Sequence, residues 1–144
     1  MNDTLGIDPV NADEHQWGLD GALRWKRLYM QGEGFMRLTK RDSPLTGGRD
    51  WGWYTQAGWF LLPERFEVVG RIAEVVFDPD VDQPVSSFPQ GDVESVTDYT
   101  LGANYYLDGN RIKFQADVTS RVNDPNSGIL TTDTIARLQL QVFF

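Results

Sequence analysis

Alternation with a period of two runs through most of this chain, and it restricts the chain to strands. From Thr134 to Phe144 the even positions Ala136, Leu138, Leu140, Val142 and Phe144 are mostly apolar. Arg137, Gln139 and Gln141 between them are polar. Ile112, Phe114, Ala116 and Val118 oppose Arg111, Lys113, Gln115, Asp117 and Thr119 in the same way, and Tyr99, Leu101, Ala103, Tyr105 and Leu107 oppose Asp98, Thr100, Gly102, Asn104 and Tyr106. Successive side chains of a strand point to opposite faces, so each segment has one apolar and one wet side. Trp51 to Leu61, Phe66 to Ile72, Leu28 to Met36 and Trp17 to Trp25 repeat the pattern. Helical spacing fits none of these runs as well. The phase blurs at Ala73-Glu74-Val75, where a bulge is expected.

The connections alternate in length. Lys26-Arg27, Leu62 to Arg65 and Asp108-Gly109-Asn110 are tight, the last with strong hairpin chemistry. Leu38 to Asp50, Phe77 to Ser95 and Val122 to Thr132 are long, polar and rich in Pro, Gly, Asp and Ser. The expectation is an all-β, antiparallel up-and-down meander of about seven strands with one trimmed and one elaborate rim.

Two architectures share such a meander. A soluble barrel buries its apolar face inward and binds an apolar ligand in the lipocalin manner. A membrane barrel turns that face to lipid and lines its lumen with polar groups. Three features favour the second. Small residues (Gly21, Gly32, Gly34, Ala57, Gly70, Ala103 and Ala116) are mixed into the apolar faces, which suits lipid better than a close-packed core. Aromatics (Trp25, Trp51, Trp53, Trp59, Tyr105, Phe143, Phe144) gather at strand ends, as interface girdles require. The last strand stops on an aromatic, which would invite edge aggregation in water.

Composition narrows the function. A net charge of -8 argues against nucleic acid as a partner, and the absence of Cys with a single His excludes disulfide scaffolds, thiol catalysis and Cys/His zinc sites. His15 serves no nucleophile motif. Asp78, Asp80 and Asp82 imitate a calcium loop, but Pro79, Gln83 at the glycine position and Pro89 at the bidentate position defeat it. No catalytic residue, metal or cofactor is expected.

The stretch Gln56-Ala57-Gly58-Trp59-Phe60-Leu61-Leu62-Pro63 followed by Phe66-Glu67-Val68-Val69-Gly70-Arg71 resembles a hairpin in the C-terminal half of phosphate-selective porins of the O and P type. Thr100-Leu101-Gly102-Ala103-Asn104-Tyr105-Tyr106-Leu107-Asp108-Gly109, with Lys113-Phe114-Gln115, resembles the next hairpin. Arg137 to Phe144 is similar to the family's last strand. The resemblance runs from about Gly18 to the end. It implies the C-terminal part of a 16-stranded transmembrane barrel in a Gram-negative outer membrane, a homotrimer when complete. It also implies passive diffusion of small anions, phosphate and polyphosphate among them. Leu138, Leu140, Val142 and Phe144 would then be the signal read by the barrel-assembly machinery. Residues 1–14 would be an irregular outer-loop remnant and 15–144 the barrel part, with no secretory signal at Met1 to Asp8.

Arg24, Lys26, Arg37, Arg71, Lys113 and Arg137 are the candidate lumen-facing anion path, since Arg and Lys attract anions by charge and Arg by bidentate geometry. Asp20, Glu33, Glu67, Asp98 and Asp117 share those faces, so pairing of wall residues with one another is the competing reading. No selectivity-filter residue carries over, because the family's arginine ladder and constriction loop lie largely outside the stretch resembled. Seven strands leave two unpaired edges, so the isolated chain is expected to insert poorly and to form no stable pore.

Overall fold

The computed structural model describes residues 12–41, 48–78, 93–108, 111–125 and 128–143. They form seven strands: β1 (Ala12–Trp25), β2 (Leu28–Arg41), β3 (Gly48–Leu62), β4 (Phe66–Val76), β5 (Val93–Tyr106), β6 (Ile112–Pro125) and β7 (Thr131–Val142). These make one antiparallel sheet in sequence order, with β1 and β7 at its edges. The meander expected from the alternation is the observed topology. Its register keeps every apolar set on one side, as the rows Trp17↔Met36↔Trp51 and Leu101↔Val118↔Ala136 illustrate. A slip of one residue would carry a strand's whole apolar set to the other side.

Three details differ from the sequence reading. β1 starts at Ala12, so Asp13 and Glu14 pair with Lys40 and Thr39 rather than lying in an irregular remnant. Cross-strand opposite charges support that extension despite poor strand propensity. The pairing of β4 is unbroken through Ala73-Glu74-Val75, and the irregularities fall at Leu61 and Glu94 instead. All three long connections shrink: Leu38 and Thr39 pair with Arg49 and Gly48, β5 begins at Val93, and Val122 and Asn123 pair with Thr132 and Thr131. Most of the imitation calcium loop and Phe144 lie outside the described residues.

The burial is inverted relative to a water-soluble domain. No hydrophobic side chain is buried among the described residues, whereas Glu67 is 2% exposed, Thr119 3% and Asn104 7%. Leu138 is 88% exposed and Leu101 66%. The sheet therefore curls with its polar face inside. One depression of the polar face is bordered by Arg24 of β1 and by Lys113 of β6 together, strands that would lie ~24 Å apart in a flat sheet at ~4.8 Å per strand.

The three short turns share one device. The carbonyls of Arg27, Arg65 and Arg111 accept the backbone N–H of Phe60, Tyr106 and Phe143, at 2.9, 2.8 and 2.8 Å. The first two turns are thus tied to strands that run on past them, and the third to the residue after β7. The β1–β2 turn closes level with Trp59, and β3 continues to Leu62 through the bulge at Leu61. From Tyr105, the partner of Phe66, β5 continues until the Leu107 N–H meets the Ile112 carbonyl. Hairpin ends thus descend by about two residues per hairpin, or about one per strand. A stagger of about one residue per strand corresponds to strands tilted by ~36° to the line of the turns.

Candidate functional site

The outward face carries a slanted apolar belt. Its upper limit is His15 on β1 and Arg49 on β3, which share a row, and Lys40 on β2, two residues higher; Thr55 of β3 is a polar residue inside the belt. Glu74 on β4 and Thr97 on β5 lie in the row of Trp53, four residues lower. Ser120 on β6 and Thr134 on β7 lie in the row of Thr55, lower again by two. After the rise at β2 the edge falls by roughly one to two residues per strand, in the same direction as the turns at the other end. Two independent edges thus cut the strands obliquely, in the sense expected of strands tilted by ~35–45° in an outer membrane.

Aromatic rows bound this belt. Trp17 and Trp51 share the upper row, and Trp25 and Trp59 lie level with Leu28 at the lower one. Phe66, Tyr105 and Phe114 continue the lower edge in one row. Eight residues separate the rows on both β1 and β3. At ~3.4 Å per residue and ~36° of tilt that is ~22 Å, close to the ~25 Å apolar band of membrane barrels. Trp53 Nε1 donates to Glu74 Oε2 at 2.9 Å at the upper edge, giving the ring a polar anchor. Leu138, Leu140 and Val142 of the expected assembly signal lie in the outward rows of β7.

On the inner face, register decides which cations are committed. Arg37 lies opposite Asp50 and bonds it through Nε at 3.0 Å, with a second contact from Nη2. Arg137 lies opposite Asp117, with Nε 2.9 Å from Oδ1. Arg121, which the sequence reading passed over, holds Asp98 through two bonds of 2.8 Å. The pairing reading therefore holds for Arg37 and Arg137. Lys26 departs from the lumen placement: it occupies the β1–β2 turn at φ 54, with its ammonium 5.1 Å from the Trp25 ring, a residue of the outward face. Turn geometry overrides strand parity there.

Arg24, Arg71 and Lys113 have no carboxylate within ion-pair distance among the described residues. Arg71 sits 4.4 Å from the Tyr54 ring and Lys113 5.7 Å from the Tyr106 ring, contacts that orient a cation without neutralising it. Arg24 and Lys113 border a depression of about 560 Å³ near the short turns. A second depression of about 310 Å³ holds Arg71, Arg137, Asp98 and Asp117. The two share Tyr29, Asn104 and Lys113, so the cations border one continuous polar surface.

At the junction lies a group that sequence reasoning did not assemble. Asn104 Nδ2 and the Tyr106 hydroxyl both donate to Glu67 Oε2 at 2.9 Å. Asn104 Oδ1 is buried and has no partner among the described residues. Parity places Glu67, Asn104 and Tyr106 on the polar face, but only register brings them together. Among the described residues no group of three or more His, Cys, Asp or Glu is arranged to hold a metal ion. Comparison of the chain with models of known families, with curated proteins and with solved structures finds no match.

Proposed function

We propose that the chain is part of the wall of an outer-membrane pore, with lipid against the apolar belt and an aqueous lumen over the polar face. In this reading Arg71, which has no carboxylate partner among the described residues and stands outside the depression beside the short turns, biases passive diffusion toward small anions such as phosphate. The observation that carries it is the slanted belt, whose two edges both lie lower at β7 than at β1. A flat adhesive face on a soluble protein has no reason to be bounded obliquely at both ends, whereas a bilayer cuts tilted strands in this way. A soluble barrel that encloses an apolar ligand needs the opposite curvature, with Leu101 and Leu138 inside. Closure supports a larger assembly, because unpaired strand edges in hydrocarbon cost several kcal/mol per unsatisfied group.

All five Trp lie in the outward rows of β1 and β3, so intrinsic fluorescence tests orientation without mutation. In micelles of a detergent with brominated chains, Trp emission is expected to be quenched by more than half, while aqueous iodide quenches little. Quenching by neither would place the Trp in a dry protein core and overturn the reading. A separate measurement addresses the larger barrel. In planar bilayers the isolated chain is expected to give no steady unitary conductance, and stable, uniform channel steps would show that seven strands suffice.

A further inference from the structure

We propose that the depression beside the short turns binds an uncharged sugar, a free mono- or disaccharide, rather than an anion. The proposal rests on the polar face being wet, as in the pore reading, and goes beyond it by naming an occupant. Its border holds two cations, Arg24 and Lys113, and two carboxylates, Glu64 and Glu67. The formal charges cancel, so an anion brought to Lys113 also meets Glu67, and a cation brought to Glu67 also meets Lys113. An uncharged molecule bearing both donors and acceptors suffers neither repulsion.

The polar groups call for such a ligand. Asn104 is 7% exposed, and its Oδ1 accepts no hydrogen bond from the described residues. That oxygen is closed off from the depression, and the acceptor a ligand meets is the exposed Glu64 of the turn after β3. Arg24 and Lys113 can only donate. A sugar hydroxyl donates and accepts at once, and adjacent hydroxyls on a ring can serve Glu64 and Lys113 together. Tyr29, Phe60 and Tyr106 supply rings for the C–H face of a sugar. Phe60 and Tyr106 stand 5.9 Å apart at 34°. Gly58 makes room for this floor: a Cβ there would come within 2.1 Å of Tyr29 Cε1 and 2.7 Å of Glu67 Oε1. The volume of about 560 Å³ lies within the ~300–1,000 Å³ of small-molecule sites.

The test is saturation-transfer NMR on the full chain in zwitterionic, sugar-free micelles, with maltose, glucose and inorganic phosphate as the probes. Saturable transfer to sugar C–H protons is expected, unaffected by a hundredfold excess of phosphate. Lys113→Met, at a half-buried site that tolerates exchange, and Glu64→Ala are each expected to weaken it about tenfold, the effect of one hydrogen bond to a charged group. Gln139→Ala is expected to leave it unchanged. Absence of transfer to either sugar, displacement by phosphate, or transfer untouched by Lys113→Met would each overturn the proposal. Trp quenching by brominated detergent reads the outward face separately, so loss of sugar binding with quenching retained removes this inference alone.

Discussion

Leu138→Arg is expected to lower partition of the chain into detergent micelles by about thirtyfold or more, while Gln139→Arg changes it less than threefold. The two substitutions add the same charge one residue apart on β7, on opposite faces. Leu138 lies between Ala136 and Val142 near the middle of the belt and is almost wholly exposed. An arginine on the lipid face of a membrane strand costs ~2–4 kcal/mol at the midplane, and each 1.4 kcal/mol is tenfold. On the wet face the same side chain stays hydrated, so its cost is small. If the apolar belt instead met only water, Leu138→Arg would be neutral or would improve solubility. Titration of Trp emission against detergent concentration measures both variants, and equal behaviour would remove the lipid assignment.

Glu67→Ala is expected to destabilise the micelle-bound chain by about 2–4 kcal/mol, the largest effect expected from the inner face. Its carboxylate is 2% exposed and takes both the Asn104 and the Tyr106 donors on one oxygen. Removing it strands two donors and opens a void beside Gly58. Glu67→Gln keeps an acceptor and is expected to lose only ~1 kcal/mol. Asp108→Ala breaks the open Arg111 ion pair of 3.6 Å and is expected to change stability by less than ~0.5 kcal/mol. Urea midpoints of the three variants should rise in that order. Equal midpoints for Glu67→Ala and Asp108→Ala would show that the cluster does not hold β4 to β5.

Much of the fold is legible before any coordinate, for a local reason. Strand parity is a property of neighbouring residues, so the faces of Leu101, Val118 and Leu138 follow from alternation alone. Short turns are equally local, and Lys26-Arg27 and Pro63-Glu64-Arg65 lie where the chemistry of turns puts them. Ends of strands are less legible. Asp13-Glu14 reads as loop by propensity, yet pairing with Thr39 and Lys40 makes it strand. Asn123 reads as loop but has Thr131 opposite it. The bulge at Leu61 leaves no signal in the alternation, because a turn follows immediately and hides the change of phase.

The site is less legible than the fold. Six cations share a wet face or its turn by parity, but parity cannot say which carboxylate stands opposite each. Register commits Arg37 to Asp50 and Arg137 to Asp117, and leaves Arg24, Arg71 and Lys113 uncommitted. The slanted belt follows the same logic, since its slope exists only when seven separate patterns are aligned. Strands, their order and the residues that share a face follow from local sequence, because those depend on separations of one or two residues. Tertiary structure alone decided the inward curl of the polar face, the oblique belt and the Glu67–Asn104–Tyr106 junction. Those depend on contacts up to 39 residues apart, which no local periodicity encodes.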